Sequence, residues 1–162
     1  FAVVGIINAL NMIDGVDGLS GSGYTADGLD ISGVVDATKV IGNNVTIRNS
    51  GGIVSVFGVS GALDVANGTS ERPGDAITVS TGHQLASPVS LGTDRGAVTL
   101  SMPSGSAGVL NFRGQPMRLN VNARNESLAQ VRLGEGTYTA IANSGVAEMR
   151  ISAPGPVTVN FR

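Results

Sequence analysis

Apolar and polar residues alternate most cleanly at residues 117–124, where Met117, Leu119, Val121 and Ala123 are apolar and Arg118, Asn120, Asn122 and Arg124 are polar. A period of two belongs to a β-strand with one buried and one wet face, because successive side chains point to opposite sides of the pleat. Shorter runs of β-forming residues recur at 29–35, 44–48, 53–57, 62–65 and 76–80, and again at 131–133, 137–142, 146–152 and 157–161. Turn signals separate them, among them Gly51-Gly52, Asn67-Gly68, Pro73-Gly74-Asp75, Gly134-Glu135-Gly136 and Pro154-Gly155-Pro156. Closely spaced short strands bounded by such turns predict an all-β fold. A wet face on each strand argues for an antiparallel sheet or a solenoid face instead of a doubly covered parallel sheet; without a sequence repeat, an antiparallel sandwich or irregular barrel leads, with a β-solenoid as runner-up. Residues 42–49, GNNVTIRN, read like one rung of a β-helix, but no second copy recurs at a fixed offset.

The start of the chain has a different pattern. Residues 1–13 are an apolar run, helix or strand, in which Phe1, Val3, Val4, Ile6, Ile7 and Leu10 would form a subunit-contact surface. Ser20-Gly21-Ser22-Gly23 has the composition of a flexible linker. The expected organisation is an apolar segment at 1–19, a Gly/Ser-rich linker at 20–28 and a β domain at 29–162.

Composition sharpens this picture. In 162 residues, charged side chains make up 14%, against roughly 25% in ordinary soluble domains, so the surface must be built from Ser, Thr, Asn and Gly. Aromatic residues are 4% with no Trp, which leaves Val, Ile, Leu and Ala to fill the core. The formal net charge is −2, and Lys and Arg never cluster, so no nucleic-acid partner is expected. Without Cys there is no disulfide framework or thiolate metal site. No window approaches the ~20 apolar residues of a membrane span. An extracytoplasmic location, in the periplasm, on the cell surface or secreted, is the expectation for such a β chain.

Candidate chemistry is sparse. Asp14, Asp17, Asp27 and Asp30 lie near glycines, but their spacing is not that of an EF-hand loop or a repeated calcium roll. His83 is the only His and sits in a polar turn, Thr81-Gly82-His83-Gln84, without partners for a zinc site or a nucleophilic triad. No phosphate-binding glycine motif opens a helix. The residues therefore predict no cofactor and no enzyme.

Two resemblances add to this reading. Asn8-Ala9-Leu10-Asn11-Met12-Ile13-Asp14-Gly15-Val16-Asp17-Gly18-Leu19 resembles the acidic motif of the polyprenyl-phosphate N-acetylhexosamine-1-phosphate transferases, membrane enzymes of bacterial envelope synthesis. The resemblance implies Asp14 and Asp17 as metal-binding or catalytic carboxylates, with Asn11 orienting them. That family also requires an Asp-Asp pair, a His-containing loop and many membrane helices, which this sequence lacks, so transferase activity is not expected. The segment is then a fragment related to such an enzyme, a coincidence of sequence, or an apolar assembly segment. From residues 96 to 159, Val98-Thr99-Leu100, Pro103-Ser104-Gly105-Ser106 and Val131-Arg132-Leu133-Gly134-Glu135-Gly136 are similar to FecR-like periplasmic sensor domains.

The leading expectation is a non-enzymatic, extracytoplasmic structural, adhesive or assembly subunit. It would associate with itself or with another surface protein. A FecR-like sensor or ligand-binding domain is the alternative.

Overall fold

The computed structural model describes residues 18–22, 29–31, 34–38, 41–123 and 127–162. Within them the chain forms two sheets. Sheet A holds β1 (Gly18–Ser22), β3 (Val34–Thr38), the first half of β5 (Gly52–Asn67), β6 (Gly74–Thr81), β8 (Val98–Met102), β14 (Val157–Phe161) and β10 (Leu119–Asn122), in that spatial order. Sheet B holds β2 (Leu29–Ile31), β4 (Ile41–Asn49), the second half of β5, β7 (Val89–Thr93), β13 (Ala147–Ala153), β9 (Gly108–Gly114), β12 (Thr137–Ala142) and β11 (Leu128–Gly134).

Strand β5 belongs to both sheets because it turns a corner. Its register against β6 shifts between Phe57 and Val59. Gly58 (φ 66°) and Gly61 (φ 95°) hold left-handed backbone there, which a side chain would oppose.

The all-β expectation is met, and two packed sheets are what a sandwich requires. Strand direction differs from the leading expectation. Every pairing between strands among the described residues is parallel except β12 with β9 and β11, so the chain winds from sheet A to sheet B and back as a solenoid, and no barrel closes. The physical reason lies in the outer faces. Alternation signals one wet face, which is common in antiparallel sheets, but each solenoid sheet also has one face on the core and one in water.

The winding is not a simple succession of turns. From β8 the chain enters β9 and then β10, leaving one open position in each sheet. The β11–β12 hairpin extends the end of sheet B. The last two strands then return to fill the gaps: β13 lies between β7 and β9, and β14 between β8 and β10. The strands of residues 147–161 therefore lie inside both sheets, paired on each edge, although they come last in the sequence.

One apolar core fills the space between the sheets. Sheet A contributes Val54, Val56, Ile77, Val79, Val98, Leu100, Val157 and Val159, and sheet B contributes Val45, Ile47, Leu63, Val65, Leu91, Met149 and Ile151. The short and branched residues foreseen from composition do fill it, with Phe112 as the single large ring among the fully buried side chains of the described residues. A polar ladder is buried at one corner, where Asn49 Nδ2 donates to Asn67 Oδ1 (2.9 Å) and Asn67 Nδ2 donates to the Gly52 carbonyl (2.8 Å). It satisfies backbone groups where successive turns of the coil leave sheet B.

Some local expectations shift. Residues 53–57 and 62–65 fuse into β5, and β7, β8 and β9 lie in a stretch where the sequence pattern predicts no strand. The alternation at 117–124 begins too early: Pro116–Arg118 is a 3-10 turn, and Met117 is fully exposed (100%).

Candidate functional site

Because parallel strands stay in register, outward side chains line up in rows that run along the coil. On sheet A, Thr78 of β6 lies beside Thr99 of β8, which lies beside Thr158 of β14 and then Asn120 of β10. The next row places Ser80, Ser101, Asn160 and Asn122 side by side. Asn122 donates to Asn160 (2.7 Å), and Asn160 donates to Ser101 (3.2 Å). This face is hydroxyl and amide from β6 to β10 and carries no charge on these rows.

The outer face of sheet B is built differently. One row runs through Thr46, Asp64, Ser90, Arg150, Asn111 and Thr139. Its neighbour runs through Arg48, Ala66, Gly92, Ser152 and Arg113. Beside the small residues Ala66, Gly92 and Ser152 open two adjoining depressions of about 400 and 510 Å³, which share Asp64, Ser90, Glu148 and Arg150. Together they form a single open trough along the coil axis.

Its walls are held by polar contacts. Arg48 Nη2 meets Asp64 Oδ2 at 2.5 Å, and Arg150 Nε meets Glu148 Oε1 at 2.7 Å. Glu148 Oε1 also accepts from Asn111 Nδ2 (3.1 Å), whose Oδ1 accepts from Thr139 Oγ1 (3.1 Å). The hydrogen bond from Arg150 is the main reason that the Glu148 carboxyl is held below the usual carboxylate range, and it raises the Arg150 guanidinium in turn. Arg113 is exposed, and its side chain makes no ion pair or hydrogen bond among the described residues.

Gly92 has no structural need to be glycine. A Cβ at this position would meet nothing nearer than the Val65 carbonyl oxygen at 3.9 Å, an ordinary contact, whereas a Cβ on Gly155 would press to 2.3 Å from the Gly96 carbonyl oxygen. Glycine inside a strand costs stability, and where the backbone does not demand it, it marks a place that something approaches closely.

The residues singled out from sequence fall elsewhere. Phe1, Val3, Val4, Ile6, Ile7, Leu10, Asp14, Asp17 and Asp27 lie outside the described residues. Asp30 stands opposite Arg48 in the β2–β4 register. His83 is exposed in a loop beside a depression of about 140 Å³ that Thr81 and Gln84 also line. Among the described residues no group of three His, Cys, Asp or Glu side chains is placed to hold a metal ion, and no helix is long and apolar enough to cross a membrane. The two stretches similar to FecR-like domains form β8 with its following turn and β11 with its turn. Sequence reasoning had not marked Asp64, Asn111, Arg113, Glu148 or Arg150. The one local signal was Glu148-Met149-Arg150, an opposite-charge pair two apart on a predicted strand.

Comparison with protein-family models, curated proteins and solved structures found no match to this chain.

Proposed function

We propose that this chain is a non-enzymatic module acting outside the cytoplasm, where it serves as a structural or adhesive subunit. The observation that supports this reading most is the register of the outer faces. A parallel coil repeats its outward side chains at the strand spacing of ~4.8 Å, so each face offers an extended partner many weak contacts at fixed intervals. Such contacts add through effective concentration, as attachment to a polymer or a neighbouring subunit requires. The low charge and Ser/Thr/Asn surface suit a protein that works by contact area.

The test is retention. Beads carrying the full chain are passed over immobilised bacterial envelope and extracellular polymer preparations, with bare beads as reference. In parallel, light scattering reports the mass of the full chain and of a chain lacking residues 1–19. Retention above the bare beads, or assembly that depends on residues 1–19, is the expected outcome. No retention, together with two equally monomeric chains, would remove the reading.

A further inference from the structure

We propose that the trough on sheet B binds an acidic polysaccharide laid along the coil axis, with a sugar carboxylate on Arg113 and sugar hydroxyls on the Glu148–Arg150–Asn111 wall. This rests on the adhesive reading and names the class of its ligand. The trough is an open depression in the sheet face, so a chain seated in it is contacted from below and along the Glu148–Arg150–Asn111 wall. Its floor at Gly92 lets a sugar ring approach the backbone, and the strand gains nothing structural from that glycine.

The chemistry of the walls selects the ligand. A sugar hydroxyl both donates and accepts, and the wall offers acceptors on Glu148 and Asp64 beside donors on Arg150 and Asn111. Those groups already hold one another, so little side-chain freedom is lost when a ligand arrives. Charge decides between neutral and acidic polymers. The lining carries two guanidinium groups, Arg113 and Arg150, and two carboxylates, Asp64 and Glu148; Glu148 is paired with Arg150, and Asp64 with Arg48 beside the lining. The guanidinium without a carboxylate partner is Arg113, whose planar fork suits a ligand carboxylate in two parallel hydrogen bonds. The lining runs along one row from Thr46 on β4 to Thr139 on β12, five strand spacings or ~24 Å, so the site spans several sugar residues.

Affinity electrophoresis of the full chain tests this, with polygalacturonate in one gel and its methyl-esterified, uncharged form in another. Retardation by polygalacturonate that falls with added salt is expected. It should weaken by about tenfold or more in Arg113→Gln, the scale of a lost charge-assisted hydrogen bond, and again in Gly92→Thr, which fills the floor. Thr99→Val, on the opposite face, should bind as the parent does, and circular dichroism checks that each variant keeps its strands. Equal retardation by the esterified polymer, full binding by Arg113→Gln and Gly92→Thr, or no retardation at all would overturn the proposal. Bead retention without any response to polygalacturonate would overturn it while leaving the adhesive reading in place.

Discussion

The two outer faces of this coil share a core and a periodicity, yet from β6 to β10 one is an uncharged lattice, while the other carries a charged trough. On sheet A, Thr78, Thr99 and Thr158 stack as like on like, while on sheet B the corresponding positions run Asp64, Ser90, Arg150 and Asn111. Inward positions are held to Val, Ile, Leu and Met by packing, and packing places no such demand outside. The difference between the faces is therefore where selection for a partner can act, and it points to sheet B.

The comparison is easiest to break at the core, where it should vanish. Leu100→Ala beneath sheet A and Leu91→Ala beneath sheet B remove equally buried side chains. Each should cost about 2–5 kcal/mol, read as similar falls in the urea midpoint. A large loss on one side only would mean that the sheets do not share one core. The corner ladder comes next. Asn67→Ala leaves the buried Asn49 amide and the Gly52 carbonyl without this partner, and should cost about 1–3 kcal/mol by the same measurement.

Smaller effects sharpen the contrast between the faces. Gly92→Thr should stabilise the chain by about 0.5–1 kcal/mol, since the site is open and the strand gains a β-branched residue. Gly155→Ala should do the reverse. If Gly92→Thr destabilises, the glycine is structural, and its value as a marker of the trough is lost.

The smallest effect is the Glu148–Arg150 pair, which lies at the surface. Because the folded-state Glu148 carboxyl titrates below its unfolded value, its contribution is present above the unfolded pKa. It is lost as pH falls through the folded one. The difference in urea midpoint between the parent and Glu148→Gln should therefore shrink on acidification from neutral pH. A difference that grows instead would contradict the pairing.

Much of the architecture was legible in the residues, and the part that was not has a common cause. Alternation marks β13 and β14 directly, because Met149, Ile151, Val157 and Val159 point inward and their neighbours outward. Strand direction left no local trace, since parallel and antiparallel strands with one wet face share a period of two. The exposed Val131 (49%) and Leu133 (72%) on edge strand β11 look like core residues in the sequence. The trough was illegible because its members are scattered from Thr46 to Ser152 and meet only after β13 enters between β7 and β9. No spacing rule anticipates such an insertion, and no single residue of the trough is unusual alone.

That insertion is the central claim, and the absence of cysteine from the chain makes it directly testable. A coil with successive turns would put β7 beside β9, whereas here Ser90 pairs with Arg150 of β13, and Asn111 of β9 lies on Arg150's far side. Adjacent positions suit a disulfide, but two strand spacings, ~9.6 Å, exceed its reach. Under mild oxidation, the Ser90→Cys/Arg150→Cys double variant should cross-link and Ser90→Cys/Asn111→Cys should not, as read from mobility with and without reductant. Cross-linking of the second pair in place of the first would contradict both the strand order and the trough that depends on it.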